Sequence, residues 1–304
     1  MLIFTLLSTA VPRAAKSAAS DRAQPAQCQS SYRLERKNAT LQRLLVKRMR
    51  DKGWGRYMDK GLLAASLVDL SQKRRTYYAG INDDKMMYAA SLPKIAILLA
   101  VIEAVRKGKL KWTHTFDRRL QNMIRASNNA DASWAAELVG LKNIEELMRD
   151  PSYCFYDEKN GGLWVGRSYR RGGESNRDPL FGISHGASTR QAARFYTMLD
   201  AGKLVTPHWS FRMYGLMSPP AHHHKFVGGL GRVPGVVFLA RKSGTWRNFH
   251  ADSALIQHNG RTYVAVGISE LKKGESIMRE LIVIMDDLIM DGRHRRGGRK
   301  RVRR

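Results

Sequence analysis

The run Tyr88-Ala89-Ala90-Ser91-Leu92-Pro93-Lys94 is the stretch from which the rest of this sequence is read. Ile95 to Val105 follow it, mostly apolar and rich in Ala, Leu and Ile, which predicts a buried helix. Ser91 falls where the N-cap or first turn of that helix should lie, and Pro93 fits only because a first turn does not need its missing N–H. Lys94 comes three residues after Ser91, so both side chains should project from one face about one turn apart. A hydroxyl at the positive end of a helix, beside an amine, is a nucleophile-and-base arrangement. The pattern is also short and common. Alone, it is better described as a capping serine followed by a solvated lysine.

Working outward, the upstream chain reads as a helix from Thr40 to about Asp51. A strand from Leu62 to Leu70 follows, then a polar turn and a hairpin partner from Thr76 to Ile81. Downstream, Lys107 to Arg118 is basic and loop-like. Helical periodicity returns at Leu120 to Arg125 and leads into Ser127-Asn128-Asn129. A helix from Ala130 to Val139 should close on Gly140, and another should begin near Asn143 as its N-cap. Asp150 to His185 is long and rich in Gly and Arg, a length that usually marks a functional or disordered loop. Ser188-Thr189-Arg190-Gln191 has the composition of a capped helix start, with the helix running from Gln191 to Leu199. The last third is β-rich. A strand from Gly235 to Arg241 runs into Lys242-Ser243-Gly244-Thr245. A hairpin follows, from His250 to His258 and Thr262 to Ile268, turning on Asn259-Gly260. Glu275 to Met290 is apolar at helical spacing.

Strands at both chain ends with helices between them predict an α+β fold. One antiparallel sheet is built from both chain ends and flanked by helices, with an all-helical subdomain inserted at about 107–205. The expected divisions are an export-signal-like leader and linker (1–36), one domain (37–290) and a disordered basic tail (291–304).

The chain has 304 residues and a net charge of +27. Part of that charge is the arginine-rich end from Arg293. The rest is spread along the chain in clusters such as Lys73-Arg74-Arg75 and Arg170-Arg171. Such a surface favours polyanions, but no nucleic-acid module accompanies it, so no specific nucleic acid is expected. Two cysteines, Cys28 and Cys154, are too few for a disulfide scaffold or a metal site; they could pair or stay free. No segment is long and apolar enough to span a bilayer. Met1 to Val11 resembles the apolar core of an export signal without its basic start. His222-His223-His224 cannot converge on one metal from an ordinary backbone and reads as a solvated loop. No metal or cofactor is expected.

Ser91-x-x-Lys94, Ser127-Asn128-Asn129 and Lys242-Ser243-Gly244-Thr245 stand in the order, and in the elements, of the three motifs of serine β-lactamases and penicillin-binding proteins. From about Leu41 to Met290 the chain resembles that superfamily, and most of all the class A β-lactamase-like serine hydrolases. The resemblance implies an acyl-serine mechanism on β-lactams or on D-alanyl-D-alanine peptides. Ser91 would be the nucleophile, Lys94 the proton acceptor, and Ser127 the relay to the leaving nitrogen. Asn129, Lys242, Ser243, Gly244 and Thr245 would bind the substrate and its carboxylate, with Gly244 letting the substrate approach the strand edge. The backbone N–H groups of Ser91 and Thr245 would form the oxyanion hole.

The sequence also departs from that pattern. Asn128 replaces Asp and Ser243 replaces Thr. The segment between Ser91 and Ser127 is short. No Glu-x-x-Leu-Asn follows the second motif, so the base that hydrolyses the acyl-enzyme is not marked; Glu158, Glu174 and Asp178 are acids in that segment, and nothing marks one of them as the base. Slow deacylation would suit a penicillin-binding peptidase. A catalytically silent protein that holds a cell-wall polymer through its basic surface is the rival reading. The expected partners are a β-lactam or peptidoglycan stem peptide, with an anionic envelope polymer on the basic tail. The expected location is periplasmic or secreted. Trp246, and less so Trp164, could line the cleft.

Overall fold

The computed structural model describes residues 32, 34, 36–72, 75–170 and 172–296. The export-like leader, Cys28 and the arginine-rich end from 297 onward lie outside these residues.

The chain opens with α1 (Ala39–Asp51) and the short α2 (Gly55–Asp59), then β1 (Leu63–Gln72), β2 (Arg75–Ile81) and β3 (Met87–Tyr88). Four helices follow: α3 (Lys94–Arg106), α4 (His114–Arg125), α5 (Asn129–Val139) and α6 (Leu141–Arg149). Among the described residues, the long Gly-rich segment carries the short strands β4 (Tyr156–Asp157), β5 (Gly161–Gly162), β6 (Trp164–Val165) and β7 (His185–Ala187). Next come α7 (Thr189–Asp200), α8 (Pro207–Met217) and α9 (Lys225–Leu230). The chain then forms β8 (Val236–Trp246), β9 (Phe249–His258), β10 (Arg261–Glu270), α10 (Gly274–Asp291) and α11 (Arg293–Arg296).

Both chain ends supply the main sheet, in the order β2-β1-β10-β9-β8. Its pairings are antiparallel. The two-residue period of a strand explains its two buried faces. Leu63, Ala65 and Leu67 of β1 join one core with α1, α9 and α10. Ala64 and Val68 join a second core with α3 and the helical half. Asn259 and Gly260 both have positive φ, as a two-residue turn between β9 and β10 requires.

Capping sets the helix starts. Asn38, Asn128, Ser188 and Thr206 each accept a backbone N–H from the first turn. The helix expected from Asn143 instead begins at Leu141, and Gly140 both ends α5 and precedes α6. A backbone at φ 81° explains why glycine serves there. α7 was expected inside the inserted subdomain, yet it packs on the main sheet. Ser66 bonds Thr189 at 2.9 Å, and Tyr196 donates to Ser253 O at 3.2 Å. One continuous core links sheet and helices across that boundary.

The chain just past 291, expected to belong to a disordered tail, is ordered through 296. His294 and Arg295 donate to the buried Asp69 carboxylate at 2.7 and 2.6 Å, so the chain past 291 is docked on the sheet before it leaves the described residues. Among the described residues, no helix is long and apolar enough to cross a membrane.

Candidate active site

Lys94 is the first residue of α3, and Pro93, not Ser91, occupies the cap position. Ser91 lies in the turn just before the helix, and Lys94 N donates to its carbonyl at 3.3 Å. The preceding Ala90 has φ +51°, a strained conformation for a residue with a Cβ. α3 is buried from Lys94 through Glu103, so the lysine enters the protein with the helix that carries it.

The amine of Lys94 meets the second motif. It donates to Ser127 O at 2.6 Å, Asn129 Oδ1 at 2.8 Å and Asn128 O at 3.3 Å, with Ser127 Oγ at 3.5 Å. Its bonds run to that loop rather than to the Ser91 hydroxyl. Burial is the main reason its pKa falls to about 7; Asp131 opposes the shift. Ser127 sits at φ +57°, which lets its carbonyl and its hydroxyl face two different lysines. Asn128 Oδ1 accepts from Asp131 N and caps α5. Asn caps a helix as well as Asp, which explains why the middle position of this motif tolerates the change.

The third motif reaches the same point from the sheet. Lys242 Nζ donates to Ser127 Oγ at 2.9 Å and to Ser243 O at 2.7 Å. Burial, then the neighbouring Lys94 charge, pushes its pKa well down. In this bond Ser127 Oγ accepts from Lys242, which leaves its own hydrogen for another partner.

Gly244 has a different reason from the one expected. A Cβ there would lie 2.2 Å from Ala89 O and 2.8 Å from Ser91 N. The strand is pressed against the turn that carries Ser91, and the space belongs to this chain's own backbone rather than to a substrate. Thr245 lies on the edge strand β8 and lines a cleft of about 540 Å³ together with Ser91 and Asn129.

The acids of the long segment lie elsewhere. Glu158 is exposed and paired with Arg149, and Glu174 is exposed in a separate depression beside Glu137. Asp178 is buried, accepting from Tyr156 and from Phe181 N. The cleft wall near Ser91 is instead made by Tyr169, Arg167, Arg170 and His185. Trp246 is 55% exposed on the cleft rim, whereas Trp164 is buried against Tyr156 and donates to Asn176 O.

Sequence reasoning did not find Tyr169 and His185, which had no signal beyond their place in a long loop. It also missed Lys225, which is wholly buried and donates to Thr245 Oγ1 at 2.8 Å and to Gly244 O. The His222-His223-His224 run is not simply solvated. Arg241, paired with the buried Asp252, donates to the carbonyls of His222 and His224.

The sequence profile described as the Beta-lactamase enzyme family matches residues 59–119 and 118–284. No curated protein sequence matches the chain. Among solved structures, PBP-A aligns with TM-score 0.64 at 17% identity, covering 84% of this chain and 98% of its own. A β-lactamase from Sphaerobacter thermophilus aligns with TM-score 0.60 at 16% identity, covering 75% and 89%. One from Chitinophaga pinensis aligns with TM-score 0.61 at 15% identity, covering 81% and 99%. At such identities the structures establish a shared fold, and the profile, which spans most of the chain, establishes that this protein belongs to the β-lactamase enzyme family.

Proposed function

We propose that the protein is a serine hydrolase that reacts through an acyl-Ser91 intermediate with β-lactams or with D-alanyl-D-alanine peptides. The observation that carries this reading is the convergence of Lys94, Ser127 and Lys242 behind the Ser91 turn. Ser91 Oγ attacks the amide carbonyl carbon, and its proton passes to Lys94. The low pKa of Lys94 leaves a large neutral fraction near pH 7. Ser127, held by Lys242, hands a proton to the leaving nitrogen as the amide C–N bond breaks. The backbone N–H groups of Ser91 and Thr245 hold the oxyanion. Asn129, Lys242, Ser243 and Thr245 hold the substrate amide and carboxylate.

Glu158 and Glu174 were the candidate acids for releasing the acyl group. Neither lines the cleft, and this supports slow release over rapid lactam turnover. A variant of PBP-A has been solved as an acyl-enzyme complex with penicillin G, which suits a penicillin-binding peptidase as the second reading. By the same reading the protein works in the periplasm or outside the cell, with its arginine-rich end from 297 held to anionic envelope polymer.

A fluorescent penicillin should label the protein covalently, and Ser91→Ala should take no label. A Ser91→Ala variant that still labels would refute the mechanism.

A further inference from the structure

Tyr169 is the aromatic residue that meets both halves of the proposed acylation machinery. Its ring face lies 4.5 Å from Lys94 Nζ. Its hydroxyl donates to Ala90 O at 3.1 Å, in the residue before Ser91. Its other contact is His185, at 4.2 Å between ring centres. His185 is itself anchored, with Nε2 3.1 Å from Arg167 O and Nδ1 3.2 Å from Ser184 Oγ. A carbonyl can only accept, so Nε2 carries the proton and the Ser184 hydroxyl donates to Nδ1. Burial keeps the Tyr169 phenol protonated, so it stays a donor to Ala90. Tyr169 is therefore braced at three points, and Tyr169, His185 and Ser91 line the same cleft.

We propose that Tyr169 is a positioning residue that turns this cleft into an acyl-holding site: its ring packs on the buried Lys94 amine and keeps water from the Ser91 ester. The proposal rests on the acyl-Ser91 reading and sets the lifetime of that intermediate. A cation on an aromatic face keeps its attraction without a water shell. Acylation needs no water beside Lys94, because the proton that Lys94 takes comes from Ser91 in the turn before α3. Hydrolysis does need it. The water oxygen must bond to the ester carbonyl carbon while its proton passes to Lys94 Nζ. The carbon–Oγ bond then breaks, Ser91 Oγ takes the proton back from Lys94, and the carboxylic acid leaves. With the ring in place, the water has no room beside that base.

The test follows label lifetime. The full-length protein is labelled with fluorescent penicillin, free label is removed, and loss of the Ser91 adduct is timed by gel and intact-mass measurement. The parent should hold its label. Tyr169→Phe keeps the ring, and should hold it to within about threefold, whereas Tyr169→Ala should release it roughly 100-fold faster, the low end of what a positioned general base supplies. Tyr169→Gln, which has a polar side chain and no ring, should also speed release, so loss of fold in one variant leaves the other to decide. Release unchanged in the ringless variants, or a parent that already turns over penicillin as fast as they do, overturns the role of Tyr169 while leaving Ser91 labelling intact. A parent that takes no label refutes the acyl-serine reading instead.

Discussion

Two buried clusters of charge, one behind the Ser91 turn and one at the outer end of the main sheet, are built on opposite rules. Behind the turn, Lys94 and Lys242 are both buried, and they hydrogen-bond to hydroxyls, carbonyls and an amide. At the sheet end, Asp69 is as deeply buried, but His294 and Arg295 donate to it. Burial acts on each as expected. Desolvation pushes the lysines toward neutrality, with Asp131 and Asp252 opposing it only in part, whereas hydrogen bonds from His294, Ser71 and Arg295 overcome desolvation and hold Asp69 far below the ordinary carboxylate range. The contrast shows where this fold spends stability. Cations without partners make an amine that can accept a proton, while a paired carboxylate makes a strand end that stays closed.

Separate losses should follow from the two clusters. The largest effect is expected from Lys94→Met, which should slow penicillin acylation by about 100-fold or more, the scale of general-base catalysis. Its stability in urea should stay within about 1.5 kcal/mol of the parent, because a desolvated charge leaves along with its hydrogen bonds. In the parent, acylation should rise with pH through about 7 and level off above it, following the neutral Lys94 fraction; a rate flat from pH 5 to 9 would break the assignment.

Asp69→Asn should do the reverse, costing about 3 to 5 kcal/mol by leaving His294 and Arg295 without their carboxylate, with acylation of the folded protein unchanged. The pH dependence has a definite sign. Asp69 has a depressed folded pKa, so its contribution is complete above the unfolded carboxylate value of about 3.9 and fades as pH falls below it. Lys94 is depressed as an amine, so the unfolded chain binds more protons from about pH 7 up to the unfolded value of about 10.4, and stability from this group rises across that window. Acid unfolding of the parent and Asp69→Asn should therefore converge at low pH, as urea titrations at several pH values can read.

The smallest effect is expected from Asn128→Asp. Both residues cap α5, so stability should move by less than about 0.5 kcal/mol and acylation should not respond. A large loss would mean that this position does more than cap.

Much of the fold was legible because it rests on local rules. The Asn259-Gly260 turn, the Ser188 cap and the two-residue alternation of β1 are each decided within a few residues. α8 was equally legible but unread, since Thr206-Pro207 is a cap followed by a first-turn proline. The short strands β3, β6 and β7 were not, because a strand of two or three residues exists only through its partner. Lys225, the Arg241–Asp252 pair and Tyr169 had no local pattern at all.

The sequence alone determined the order of the main-sheet strands and of the longer helices around them, α8 apart, and supplied the three polar motifs with their spacing, because caps, periodicity and turn residues act over short range. Only the tertiary structure decided that Gly244 is pressed against the Ala89–Ser91 backbone, that Ser127 lies between two lysines, and that an aromatic ring rather than a carboxylate faces Lys94. Burial and charge separation set those outcomes, and both are properties of residues brought together from distant parts of the chain.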